Sequence, residues 1–211
     1  GQGFTAGLGM ERRNAEGYNY GFSVSGGWSW LETARAVTVF EPGIGVSAPE
    51  TSHVRLDGHF GKVFQSGNWF ASPNLGVSFT SLRHEGLVEA GLDGLGVEVS
   101  AASQSIAALN PTLVLGHSYL QTETQQREVS LTLGVRLNST DRLELPVQFI
   151  GAGAGSDPAI IGTSLDQFVY QLGADIRVLG DDRVGLSFSY DGEFGDETEN
   201  QRAGFDFRMR F

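Results

Sequence analysis

The chain closes with Gly204-Phe205-Asp206-Phe207-Arg208-Met209-Arg210-Phe211. Successive side chains of an extended strand point to opposite faces. Phe205, Phe207, Met209 and Phe211 therefore share one face, and Gly204, Asp206, Arg208 and Arg210 share the other. The first face suits hydrocarbon and the second suits water. A strand with a different solvent on each side is the unit of a transmembrane β-barrel.

The same alternation recurs upstream. Tyr18, Tyr20, Phe22, Val24, Trp28 and Trp30 oppose Asn19, Gly21, Ser23, Ser25 and Ser29. Val129, Leu131, Leu133, Val135 and Leu137 oppose Glu128, Ser130, Thr132 and Arg136. Phe168 to Val178 and Val184 to Tyr190 repeat the pattern. Helical periodicity is almost absent, and no run of apolar residues is long enough for a membrane helix. Strands of about 9–11 residues suffice to cross a bilayer.

Composition narrows the chemistry. The 211 residues fit one domain, 1–211. With no Cys, thiolate metal sites and cysteine nucleophiles are excluded. A net charge of −11 argues against a nucleic-acid partner. Gly1 to Met10 alternates like a strand and lacks the basic-then-apolar pattern of a signal peptide, so an exported chain is expected in mature form or as an excised domain.

Turn signals divide the chain into about twelve expected strands, near 3–11, 17–31, 36–46, 53–64, 68–83, 95–102, 106–120, 127–138, 142–151, 166–179, 183–194 and 201–211. Pro42 and Pro111 interrupt this pattern, and Pro belongs at edges or bulges. Counting back from a periplasmic Phe211 puts the turns at 65–68, 138–141 and 180–182 on the inner side. It puts the loops at 47–52, 84–94, 121–126, 156–164 and 195–200 on the outer side. Short inner turns and long outer loops are usual for such barrels. Aromatic residues then form two expected girdles. Tyr18, Tyr20, Tyr119, Phe168, Tyr170, Tyr190 and Phe194 make the outer one, and Trp28, Trp30, Phe64, Trp69 and Phe211 the inner one. A soluble sandwich is disfavoured, because the second face carries too much charge and Gly for another packed layer.

Unpaired backbone groups cost several kcal/mol each in hydrocarbon, so a spanning sheet must close. The expected fold is all-β, a closed antiparallel transmembrane barrel of about twelve strands with a polar lumen. The expected lumen residues near the start of the chain are Arg55, Asp57 and Glu98, followed by Glu128, Arg136 and Glu144. Toward the end they are Asp175, Arg177, Asp191 and Glu193, then Asp206, Arg208 and Arg210. Mixed signs predict a hydrated, cross-linked channel without strong ion selectivity.

No catalytic, cofactor or metal site is expected. His53 and His59 share a strand face but stand about 20 Å apart, too far to hold one ion. Asp191 and Glu193, about 7 Å apart, are compatible with acid–base chemistry but read better as channel lining. His84 and His117 are placed near the outer rim, where an outer-membrane hydrolase would need a Ser–His pair. Gly151–Gly155 has no following helix pattern and no Lys, so it is read as a flexible rim.

The C-terminal third resembles the translocator barrel of autotransporters, the type V secretion family. The residues carrying the resemblance are Tyr190-Asp191-Gly192-Glu193-Phe194-Gly195-Asp196 and the terminal strand ending in Phe211. Gly67-Asn68-Trp69-Phe70 and Val97–Ser105 resemble other family blocks more weakly. The likeness covers most of the chain coarsely and residues 165–211 well. It implies a twelve-stranded barrel in a Gram-negative outer membrane that anchors and exports its own N-terminal passenger, with passenger or linker helix in the pore. It also implies insertion into outer-membrane lipid by the barrel assembly machinery, which reads the terminal strand, here Phe205, Phe207, Met209 and Phe211. No passenger or helical linker pattern precedes the first expected strand, so the sequence is expected to start at the barrel. A small passive porin and an outer-membrane hydrolase are the alternatives.

Overall fold

The computed structural model describes residues 1–38, 43–122, 125–153, 155–180 and 184–209. In chain order the strands are β1 (Gln2–Arg13), β2 (Tyr18–Trp30), β3 (Thr33–Val37), β4 (Gly43–Ser47), β5 (Glu50–Lys62) and β6 (Phe64–Ser66). Next come β7 (Trp69–His84), β8 (Leu87–Val88), β9 (Val97–Val99), β10 (Ala102–Thr122) and β11 (Gln125–Asn138). The last are β12 (Arg142–Phe149), β13 (Ala159–Ser164), β14 (Phe168–Gly180), β15 (Val184–Phe194) and β16 (Glu199–Met209). A single 3-10 turn, Asp93–Leu95, is the only helical element among the described residues.

Nine long strands form one antiparallel sheet in the order β1-β2-β5-β7-β10-β11-β14-β15-β16, with β6 added on β7. Three connections leave this sheet. β3 pairs only with β4, and a second sheet runs β13-β12-β9-β8. All three excursions emerge at one end of the long sheet, together with the turn between β15 and β16. The opposite end carries the short connections after β1, β5, β10 and β14, and Met209 finishes there opposite Val184. The first we call the excursion end and the second the turn end. β1 and β16 are the sheet edges among the described residues, and they run in the same direction.

These strands differ from the twelve expected ones. The expected crossing strand at 36–46 is replaced by the β3–β4 hairpin, with residues 39–42, including Pro42, outside the described part. The expected strand at 95–102 shrinks to β9, and the one at 142–151 becomes β12; both stand outside the long sheet. Part of the loop expected at 156–164 is β13, built on Ile160 and Ile161. Pro111 lies inside β10, where the β10–β11 ladder skips from Leu109↔Leu137 to Thr112↔Gly134. The ladder gap falls where proline has no N–H to offer.

Local chemistry explains the hairpins. Asn14 Oδ1 accepts the Glu16 and Tyr18 amides at 3.1 and 2.9 Å, an Asx-type turn. Gly17 completes it at φ +85, and a Cβ there would meet the Val63 carbonyl oxygen at 2.7 Å.

The register sorts every long strand into the same two faces. Cross-strand rows such as Leu8–Val24–Leu56–Phe79 carry apolar side chains across neighbouring strands. Val129, Leu131 and Leu133 continue that face into Ile176, Ala174 and Leu172, then Phe188, Tyr190 and Gly192. This face is open: Leu8 is 81 %, Phe205 70 % and Trp69 66 % exposed. Among the described residues only Leu92 and Val169 are buried hydrophobics. No second layer covers the apolar face, so the packing of a soluble sandwich is absent from the described residues.

Candidate functional site: the polar face of the long sheet

The face opposite the apolar one carries Ser, Thr, Asn, Gly and paired charges. Arg136 Nη1 donates to Glu193 Oε1 at 2.9 Å, and Gln171 Nε2 donates to the same oxygen at 2.9 Å. This triad links β11, β14 and β15. Arg55 lies along its own strand and grips Asp57, with Nη2 to Oδ1 at 2.8 Å. Arg177 and Glu128 are direct cross-strand partners, with charged atoms 4.0 Å apart. Asp191 faces Arg202 across the β15–β16 ladder. Opposite signs placed side by side neutralise one another while keeping the face hydrated.

Glycines on this face make room for larger neighbours. The His59 ring occupies the space that a side chain at Gly21 would need. Phe70 does the same at Gly116. Asn19 Nδ2 donates to Asn74 Oδ1 at 3.2 Å across Gly61 of the intervening strand. The sequence reading left these couplings out, although their signal was present: Gly21, Gly61 and Gly116 all fall at polar-face positions.

The structure places Arg55, Asp57, Glu128, Arg136, Asp175, Arg177, Asp191, Glu193, Asp206 and Arg208 on this one face. It does not bring Glu98 and Glu144 there. Glu98 lies on β9, where its Oε2 accepts from Gln148 at 3.1 Å. Glu144 lies on β12, 3.5 Å from Arg142. Both left the face because their segments became parts of an excursion. Arg210 and Phe211 lie outside the described residues, while Phe205, Phe207 and Met209 share the apolar face of β16.

The two ends also redistribute the aromatics. Tyr18, Tyr20, Phe64 and Trp69 share the turn end, where the β10–β11 register also puts residue Tyr119, whose side chain lies outside the described part. Trp28, Trp30, Phe168, Tyr170 and Phe194 lie toward the excursion end, with Tyr190 nearer mid-strand. The sequence pattern instead predicts Tyr18, Tyr20 and Tyr119 at the end opposite Trp69, and Trp28 and Trp30 at the same end as Trp69. It likewise predicts the 121–126 connection at the excursion end and the 138–141 connection at the turn end, the reverse of what the register shows. Each excursion segment counted as a crossing strand reverses the ends between it and the next such error.

The excursions are tied together by backbone and side-chain hydrogen bonds. Val46 and Ala90 exchange backbone hydrogen bonds at 3.0 Å, joining β4 to the β7–β10 excursion. Arg35 binds Glu89 at 2.6 Å and also donates to the Leu95 carbonyl at 3.1 Å. The Arg35 hydrogen bond holds the Glu89 carboxyl below the usual range, aided by the Val97 amide at 2.9 Å and against a smaller effect of burial. Asp166, buried between β13 and β14, accepts the Glu197 amide at 2.8 Å. Hydrogen bonds, first from the Thr198 side chain and then from the Glu197 amide, lower its pKa. Asn138 Nδ2 donates to the Asp166 carbonyl at 2.6 Å, so one residue latches β11, β14 and the β15–β16 turn together.

The two histidines weighed for hydrolytic chemistry do not come together. His84 closes β7 at the excursion end and accepts the Gly86 amide through Nδ1 at 2.9 Å. His117 lies at the turn end on the apolar face, edge-on to Trp69 with centroids 4.7 Å apart. The two were expected at one rim and stand at opposite ends. Among the described residues, no group of three or more His, Asp and Glu is placed to hold a metal ion.

An antiparallel sheet with one exposed apolar face and one charge-paired polar face fits a protein of the β-barrel class. The autotransporter β-domain family matches residues 1–191, and the chain belongs to that family. Membership implies a translocator β-barrel role, generally non-catalytic, in the outer membrane of a Gram-negative bacterium. No curated protein matches the chain. The family match ends inside β15, so Glu193, Phe194 and the terminal strand lie beyond it.

Proposed function

We propose that the chain anchors an N-terminal passenger polypeptide in the outer membrane and lets it pass to the cell surface along the polar face. The observation that carries this reading is the pairing of family membership with a sheet whose two faces ask for different solvents. A polypeptide in transit needs a wetted wall that does not hold it. Arg136–Glu193, Arg177–Glu128 and Arg55–Asp57 supply such a wall, because their charges already answer one another.

Closure of the sheet brings the polar face inward and satisfies both edges. Because β1 and β16 run the same way, closure joins them in a parallel seam or through an odd number of intervening strands. The turn end faces the periplasm and the excursion end faces outward, in keeping with short inner and long outer connections. The terminal strand, with Phe205, Phe207 and Met209, then runs toward the side where the barrel assembly machinery works. Deleting Phe211 impairs assembly in cells more than it destabilises the finished protein. Normal assembly of that variant contradicts the signal role.

The direct test is an epitope-tagged passenger fused ahead of Gly1. Protease added to intact cells removes the tag if the passenger is exported. A tag retained inside cells whose barrel has assembled contradicts translocation, and a pore that passes small solutes without a passenger then favours the porin reading.

A further inference from the structure

The outward apolar face is not the same at its two rims. At the turn end it carries Arg12 on β1 and Lys62 on β5, both on the apolar side of the register: Arg12 faces Tyr20, and Lys62 faces Tyr18. Lys62 Nζ donates to the Tyr18 hydroxyl at 3.0 Å, sits 4.3 Å from that ring's centroid and lies 5.2 Å from the centroid of Phe64. The aromatic cluster holds the ammonium at the rim, and among the described residues the Tyr18 hydroxyl is its one hydrogen-bond acceptor. Neither Arg12 nor Lys62 has an acidic partner within 4.0 Å among the described residues. Arg127 lies on the same face at the same end of β11. Among the described strand residues, no Asp or Glu occupies this face at the turn end. At the excursion end the corresponding positions are Glu50, Arg83 and Glu199.

We infer that the turn-end rim around Arg12, Tyr18 and Lys62 is a binding site for the headgroup of an anionic phospholipid. This rests on the membrane-spanning reading above. A cation on a lipid-facing surface extends to the interface, where aromatic rings sit at headgroup depth. Arg12 and Lys62 lie two strands and two residues apart, about 12 Å along the surface. Their long side chains span that gap and converge on phosphate oxygens, Arg as a planar fork and Lys as a point charge. The acidic residues of the other rim repel the same headgroup. The chain thereby selects the leaflet that each end contacts by charge as well as by loop length.

Tryptophan quenching tests this, because the rims carry separate reporters. A variant with Trp28→Phe and Trp30→Phe keeps Trp69 alone at the turn end. It is reconstituted in phosphatidylcholine vesicles containing a minority of either brominated phosphatidylglycerol or brominated phosphatidylcholine. The expected result is preferential quenching by the anionic lipid, on the order of fivefold in relative association for each cation. Arg12→Gln with Lys62→Gln abolishes the preference, and high salt weakens it. The Trp69→Phe variant, reporting from Trp28 and Trp30, shows none. Equal quenching of Trp69 by both lipids overturns the site but leaves the membrane reading standing. So does a preference that survives the double substitution, or one equally strong at the other rim. Quenching by neither lipid overturns the membrane reading and the site with it.

Discussion

The long sheet and the segments that leave it are built for different surroundings. Along the sheet, large apolar side chains from Leu8 to Phe205 stand exposed on strands joined by backbone ladders, with no second layer over them. In the excursions, Leu92 is buried against Gly43 and Gly45, Glu89 is sheathed by Arg35, and Asp166 is buried under the 195–198 turn. The sheet leaves its hydrophobic contacts to be completed by a surrounding solvent, whereas the excursions bury Leu92, Glu89 and Asp166 while still exposing Ile44, Val88, Phe149 and Ile161. On the function proposed above, the membrane surrounds the long strands, and the excursion end with its buried Leu92 and Asp166 lies outside it.

The sharpest way to break the contrast is to put a charge on each face at mid-strand. Leu131→Arg should cost about 2–4 kcal/mol of unfolding free energy in a bilayer. Ser130→Arg, one residue away beside Asp175, should change it by less than about 1 kcal/mol. Denaturant titration of the reconstituted protein measures both, and equal costs would erase the distinction between faces.

The excursion end should respond to crowding. A side chain at Gly195 would run into the Asp166 carboxylate. Gly195→Ala should cost about 1–3 kcal/mol and open the 195–198 turn to protease, with the long sheet's amide protection unchanged.

Acid should act on the same end. The carboxyls of Asp166 and Glu89 both have lowered pKa values when folded. Their stabilisation is therefore fully present above the ordinary carboxylate range, near about pH 4. It is lost as pH falls through the lower folded values. Hydrogen exchange in the excursions should rise over that window, and Asp166→Asn should remove part of the rise. Acid loosening of the sheet before the excursions would contradict the comparison.

The smallest effect is expected inside the polar face. Arg136→Met removes a pair whose side chains are 32 % and 28 % exposed. Water and Gln171 still serve Glu193, so the cost should be at most about 1 kcal/mol in the same denaturant titration.

Much of this was legible from period two alone. The alternation in 18–30, 129–137 and 204–211 already shows the long sheet and its two faces, and it puts Arg136, Asp206 and Arg208 on the polar one. Less legible was which extended segments cross. β3–β4 and β12 carry the same β-rich composition as crossing strands, and local pattern says nothing about which neighbour a strand pairs with. Each false crossing reversed the ends, which is why Tyr18 and Trp28 exchanged rims while Phe168 and Trp69 did not. The Asp166 latch was hidden for another reason. Its partners lie about thirty residues away on either side, at Asn138 and Glu197, and only the folded sheet brings them together.

The absence of Cys makes the central claim directly measurable. Single cysteines placed at 130, 131, 132 and 133 report the solvent on each face in turn. With the protein reconstituted in a bilayer, a water-soluble maleimide should label Ser130→Cys and Thr132→Cys and leave Leu131→Cys and Leu133→Cys unmodified. Labelling of all four at similar rates would contradict a sheet with lipid on one face and water on the other.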